Sequence, residues 1–445
     1  MTPRQAEILE LLHKEVKPAL GCTEPIAVAL AVAKAAEILL GSAAGCVAQC
    51  PLRRLGSDFS IDVEVSGNIL KNGMGVGIPG TGMMGLPIAA ALGAVCGNSS
   101  RGLEVLEGVN REAVERARSL VERGMVKVRI AEDCPLLYVK ATVGMTGGDA
   151  GHTASATVTD DHDHISETSL GGKVLWCDAA AQEGKAPCKS TQDYALTVKE
   201  ICSFATEADY ADIKFILGDR DLNWALCEEG LSGEYGLRVG KTIRANQNSV
   251  FGDDFMSYAM GVTAAASDAR MAGCTLAAMS NSGSGNQGIT VSMPVIAYAT
   301  RYGVDDERLA RALVLSNLVA IHIKGYLGKL SALCGCVVAS TGSSCGIVWL
   351  EGGGYVQICS AIKNMIGNIT GMVCDGAKAG CAMKVASGVY SSVQSAVLAL
   401  NGICADEHNG IIDKDIEKTI RNLGEIGSVG MQSTDRMILR IMSCK

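Results

Sequence analysis

Phe59-Ser60-Ile61-Asp62-Val63-Glu64-Val65 alternates apolar and polar residues without a break. A period of two sends Phe59, Ile61, Val63 and Val65 to one face, as in a strand with one buried side. Stretches 126–131, 137–143 and 153–159 read the same way, with helical patterns over 84–95 and 110–122. The run Asp160-Asp161-His162-Asp163-His164 then reads as a turn or a solvated hairpin tip. Upstream, Ile8, Leu11, Leu12 and Val16 predict a helix over 4–19, ended by Pro18. A second helix is predicted over about 26–40, stopped by Gly41. Beyond about residue 188 alternation fades, and Ala/Leu/Met-rich helical patterns separated by Gly-rich loops take over. The expected fold class is therefore mixed α+β. Region 1–185 is α/β with antiparallel strands, and region 186–445 is mainly helical.

Composition narrows the function. The 445 residues include 48% hydrophobic but only 4% aromatic side chains, with 53 glycines. Such a core is built from Ala, Val, Ile, Leu, Met and Cys, which favours close helix packing. A net charge of −8 argues against nucleic acid or an anionic membrane surface as partner. The uncharged run 331–350 mixes Ser, Thr, Gly and Cys and reads as a buried segment, with no membrane span. The N-terminus shows no basic-plus-apolar signal pattern. Eighteen cysteines scattered over a chain of this size suit the reducing cytoplasm, most of them as small buried apolar residues. A homodimer acting on a small molecule is the expected assembly.

Two segments match G-x-G-x-x-G, at Gly75–Gly80 and Gly283–Gly288. Neither follows a Val/Ile strand, and Pro79 interrupts the first, so a dinucleotide fingerprint is not expected. The second belongs to a longer polar loop, Ser282-Gly283-Ser284-Gly285-Asn286-Gln287 after Asn281. Its side chains and exposed N–H groups suit a carboxylate or phosphate, and the alternative is a tight interhelical turn. Lys324, Lys329 and Lys384 leave pyridoxal phosphate as a minority reading. Gly21-Cys22-Thr23-Glu24-Pro25 opens the second helix, with Thr23 or Glu24 as its cap. A helix N-terminus favours the Cys22 thiolate, although the residue could equally be an apolar plug. Glu24 is most simply a first-turn acid. His322, among apolar neighbours, reads as a satisfied core histidine.

Three further cysteines stand among small residues: Cys334 (with Cys336 two residues on), Cys374 and Cys381. Their spacing fits zinc knuckles poorly and suits an iron–sulfur cluster better. Together with Gly21–Pro25, Ser66-Gly67-Asn68, Asn281–Gly288 and the tail Gly427–Asp435, they make the chain resemble the L-cysteine desulfidase family. That family is an uncharacterised-protein family related to the iron–sulfur L-serine dehydratase alpha chain. The resemblance implies a 4Fe–4S cluster held by Cys334, Cys374 and Cys381, with Cys336 as the alternative to the first. Its fourth iron is left for substrate. It further implies Cys22 as the catalytic base or sulfur carrier. Ser66, Asn68, Ser282, Gly283, Ser284, Asn286 and Gln287 would hold the amino acid. The implied activity is α,β-elimination of L-cysteine to sulfide, ammonia and pyruvate. L-Serine dehydration and a non-enzymatic iron–sulfur protein are the alternatives.

Overall fold

The computed structural model describes residues 2–43, 59–145, 153–178, 194–246, 249–328 and 330–444. The expected boundary at 185/186 lies outside these. Two cores organise the molecule. The first surrounds a six-stranded sheet of β2 (Phe59–Val65), β3 (Val126–Ile130), β4 (Tyr138–Met145), β5 (Thr153–Thr159), β6 (Ile165–Leu170) and β7 (Lys173–Cys177). Its order is β3-β2-β4-β5-β6-β7; only β2–β3 is parallel. The alternation of the opening stretch is kept: Phe59, Ile61, Val63 and Val65 are buried and the residues between them only half-buried. On that buried face lies the Ala-rich helix α2 (Thr23–Ala43), backed by α4 (Leu86–Cys96). Gly93 permits this approach, since a Cβ there would sit 2.3 Å from the Ala29 carbonyl oxygen. Between these elements lies the short α3 (Gly67–Gly73), and α5 (Arg111–Glu122) lies beside α4.

The second core is helical. It gathers α6 (Val198–Glu207), α7 (Gly218–Ser232), α8 (Phe255–Met271), α9 (Gly285–Tyr302), α10 (Asp306–Leu327), α11 (Gly335–Leu350), α12 (Tyr355–Ile369), α13 (Cys381–Leu400) and α14 (Ile416–Glu425). Helix α10 is its axis; Leu313, Val314, Leu318, Val319 and Ile321 are fully buried. Each such side chain contributes roughly 1.5–3 kcal/mol by leaving water. His322 is the satisfied core histidine expected, with Nε2 2.7 Å from Glu417 Oε2. A last helix, α15 (Gln432–Ser443), buries none of its residues, yet its Asp435 pairs with Lys71 of α3, a lysine only 1% exposed. Among the described residues no helix is long and apolar enough to cross a membrane.

Two local expectations are corrected. The first helix, α1 (Pro3–Glu15), stops before Val16, and Val16–Leu20 forms strand β1, antiparallel to β8 (Ala277–Asn281). Pro18 pairs opposite Met279 there; a proline is tolerated in a two-stranded ribbon because edge positions need not donate. Strand β8 was not expected in the helical region. Its Ala-Ala-Met-Ser-Asn sequence lacks β-branched residues, so tertiary pairing overrides propensity. The Gly283–Gly288 match therefore does stand between a strand and a helix. That strand belongs to an antiparallel pair with no parallel crossover, so it is no dinucleotide fold.

Candidate active site

Four helix N-termini converge on one cavity. Cys22 occupies the cap position of α2, its carbonyl accepting from Ile26 N at 3.2 Å, so neither Thr23 nor Glu24 is the cap. Ser284 caps α9 through Oγ, which accepts from Gln287 N. Cys334 caps α11, and Cys381 is the first residue of α13. Cys374 is brought alongside by a short antiparallel bridge between Leu333 and Val373. There Cys374 N donates to Ala332 O (2.7 Å), and Cys334 N donates to Met372 O (3.0 Å). All five thiols, Cys22, Cys334, Cys336, Cys374 and Cys381, line this cavity. The positive ends of four helix dipoles, with Arg270, Lys324 and Lys384 in the walls, favour anionic groups inside.

The cavity has a volume of about 110 Å³. Lys324 and Lys384 line it, and Lys384 is tied to Asp375 and to Val373 O. Lys329 lies outside the described residues. A larger depression of about 540 Å³, lined by residues such as Asn364, Gln394 and Asn409, contains no titratable side chain and no thiol.

The loop expected to bind substrate enters the cavity. Ser282, Gly283, Ser284, Asn286 and Gln287 all line it. The loop is a tight turn from β8 into α9, with Asn281 N and Ser284 N each donating to the other residue's carbonyl (3.1 and 3.0 Å). Ser282 (φ 48°) and Gly283 (φ 75°) both take left-handed conformations, as a two-residue primed turn demands. A Cβ on Gly283 would stand 3.0 Å from His162 Nδ1. His162 thus reverses an expectation. The tip of the β5–β6 hairpin is not solvated at this residue but packs on the helical core, where Lys17 holds Asp163 at 2.7 Å. His164, in contrast, stays outside the cavity and bonds Thr159 O and Asp178. Ser66 and Asn68 are not cavity residues either. Ser66 Oγ caps α3 and donates to Leu136 O, while one turn beyond Asn68 it is Asn72 that lines the wall.

Glu24 is more than a first-turn acid. Its carboxylate accepts from Cys22 Sγ (3.1 Å), Thr23 Oγ1 (3.3 Å) and Asn72 Nδ2 (3.0 Å). Burial works to raise its pKa, while the Cys22 thiol, its own backbone N–H and the Arg270 guanidinium act to lower it. We assign no part of this to a cationic His162, because burial lowers the His162 pKa and keeps the ring neutral. The Cys22 thiol goes the opposite way from the helix-terminus expectation. Burial, then the Glu24 charge, push it well above 9. Cys334 is lowered to about 7, first because Cys336 donates its S–H to it, then through Lys384 and Lys324. Cys336 is correspondingly raised and also contacts Thr290 Oγ1. Burial raises Cys374, and raises Cys381 to about 11.

Five polar atoms in the wall lack any partner among the described residues: Asn72 Oδ1, Gln287 Oε1, Arg270 Nε, and both ring nitrogens of His162. Buried polar groups are normally paired, so this concentration marks a ligand site. The unpaired set includes two acceptors and a cationic donor, complementary to an ammonium and a carboxylate. Sequence reasoning missed Asn72, Arg270 and His162. Arg270 carried a signal, as a charge in the small-residue run Ala264–Met271; a buried arginine demands a partner.

Among the described residues no three His, Cys, Asp or Glu side chains converge as a single-ion site requires. A cluster with several irons is wider, and three thiols around one electropositive cavity fit its donor set.

Fold and cavity together define a mixed α+β protein with a thiol-lined site for a small charged molecule. Residues 100–440 match the serine dehydratase alpha chain family, and the chain belongs to that family. It is 50% identical over 446 residues to a UPF0597 protein of Oleidesulfovibrio alaskensis, covering 100% of this chain and 99% of that protein. A UPF0597 protein of Aeromonas salmonicida is 43% identical over 446 residues, with 100% and 98% covered.

Proposed function

We propose that the chain is a serine dehydratase-like lyase acting on a small L-amino acid, and specifically an L-cysteine desulfidase. The observation that carries this is one cavity holding three ligand-type thiols, a Cys22–Glu24 pair and an unpaired set complementary to an α-amino acid. Cys334, Cys374 and Cys381 would hold a 4Fe–4S cluster, with Cys336 supporting Cys334 by hydrogen bonding. When bound, the cluster supplies a Lewis acid for the departing group.

The remaining work belongs to the chain. Arg270 Nε and the N–H groups opening α9 receive the substrate carboxylate. Asn72 Oδ1 and Gln287 Oε1 accept from its ammonium. This two-point grip turns Cα–H toward Cys22, which supplies the orientation that elimination needs. Cys22 passes its proton to Glu24 across 3.1 Å and takes the α-proton as thiolate. Burial and then the Glu24 charge keep the thiol protonated in the free site, and the incoming ammonium favours the thiolate. The Cα–H electron pair forms the double bond as sulfide leaves. Aminoacrylate then hydrolyses to pyruvate and ammonia.

L-Serine, losing hydroxide, is the second reading, favoured by the family's name. Anaerobically reconstituted protein should release sulfide and pyruvate from L-cysteine faster than pyruvate from L-serine. Cys334→Ser should lose bound iron and sulfide, and Cys336→Ser should keep most of both. A fully loaded protein that forms pyruvate from neither amino acid would refute the lyase reading.

A further inference from the structure

Behind the cavity a line of buried amides runs to a carboxyl group that the reaction does not touch. Asp219 of α7 is 1% exposed, and its Oδ2 accepts from Asn317 Nδ2 of α10 at 2.8 Å. Asn317 Oδ1 accepts from Asn281 Nδ2 at 2.8 Å. Asn281 Oδ1 accepts from Gln287 Nε2 at 2.8 Å and from Ser282 Oγ at 2.9 Å. Gln287 Oε1 is left without a partner, in the cavity wall.

We propose that Asp219 is a positioning residue for substrate, which through Asn317 and Asn281 turns the oxygen of the Gln287 amide toward the cavity to accept the substrate ammonium. A primary amide has nearly the same shape when flipped, so packing alone does not choose which end Gln287 presents. Asp219 Oδ2 accepts whether the carboxyl is ionised or carries a proton on Oδ1, which has no partner among the described residues. Asn317 must therefore turn its nitrogen to Asp219, where the same nitrogen also reaches Leu313 O at 2.9 Å. Its oxygen then faces Asn281, whose nitrogen also reaches the Asn317 backbone carbonyl at 3.3 Å, and the choice passes on to Gln287. Asp219 Oδ1 has no partner, so the carboxyl keeps a polar atom buried at a cost that packing does not require. Mere structural glue needs satisfied bonds but no direction, whereas this relay has a direction that ends at the site.

The inference rests on the amino-acid reading above, and its test separates the two. The probe is L-alanine, which has the carboxylate and ammonium but no leaving group. It is titrated calorimetrically into the cluster-loaded protein, alongside KM for L-cysteine. Asn317→Leu can neither donate to Asp219 nor accept from Asn281, so the relay loses its sense. We expect at least tenfold weaker L-alanine binding and a similar rise in KM, with kcat within about threefold. In the swap D219N/N317D, Asn at 219 donates to Asp at 317, which still accepts from Asn281. Binding should return to within threefold of wild type. Unchanged binding in N317L, or a folded swap that stays tenfold weak, overturns the relay. Should N317L not fold, Asp219→Leu is added to Gln287→Leu. No further loss beyond Q287L supports the relay, and a further tenfold loss overturns it. A loaded wild type that neither binds L-alanine nor turns over L-cysteine or L-serine defeats the amino-acid reading itself.

Discussion

Glu24→Gln should separate the two consequences of the Cys22–Glu24 contact by moving them in opposite directions. The thiol donates to Glu24 Oε2 at 3.1 Å, and the carboxylate is the second cause, after burial, of the raised Cys22 pKa. Two negative charges at that separation repel by about 5 kcal/mol at an effective dielectric constant of about 20. The Arg270 guanidinium opposes part of this. Even about 1.4 kcal/mol of what remains is tenfold in thiolate population. In the metal-free protein at pH 7.5, E24Q should therefore alkylate at Cys22 at least tenfold faster, followed by peptide-resolved mass spectrometry. Turnover by the loaded variant should nonetheless fall by roughly 10²–10⁴, the usual contribution of a positioned acid–base group. If Glu24 were only a favourable first-turn acid, the change would cost about 0.3–1 kcal/mol of stability and neither rate would move. Unchanged alkylation together with near-normal turnover would refute the proton-relay reasoning.

His162→Leu removes two buried nitrogens that have no partner, each type of vacancy costing roughly 1–3 kcal/mol. Thermal unfolding should move upward or stay level; a large loss of stability would contradict the placement. Asp435→Ala strands the buried Lys71 ammonium. Breaking a fully buried pair costs about 3–5 kcal/mol, and because Asp435 is 18% exposed we expect about 2–4, measured by urea unfolding. Replacing both partners, as Lys71→Met with Asp435→Leu, should recover most of that loss. Burial raises the Asp219 pKa to about 7 from its ordinary 3.8, so the native state holds an extra proton between those values. Stability from this group is highest below about pH 4, declines as pH rises, and is lower by about 4 kcal/mol above pH 7 at about 1.36 kcal/mol per unit. Asp219→Asn should flatten the fall in unfolding temperature between pH 5 and 8, and a slope identical to wild type would count against it.

Much of the architecture was legible because it follows from short-range patterns. The Phe59–Val65 alternation marks a half-buried strand wherever it pairs, and the Ala-rich run after Pro25 can pack closely as a helix. What misled was context. Pro18 reads as a helix end, yet the following residues are held extended by β8, 261 positions beyond Pro18 at Met279. The polar loop at 282–287 announced itself by composition, but its partners did not. His162 sits among aspartates and looks solvated until the hairpin meets the helical core at Gly283.

By itself the sequence determined most element types, the mixed α+β class and the thiols that stand among small neighbours. These depend on local periodicity and on chemistry that each residue carries with it. Only the tertiary structure decided which groups share a cavity: Cys22, Asn72, His162, Arg270, Gln287 and Cys374 come from separate elements spread over more than three hundred residues. It also decided their protonation, since burial and a carboxylate 3.1 Å away outweigh the helix terminus at Cys22. Charge and hydrogen bonding act through space, and the spacing of residues along the chain does not record them.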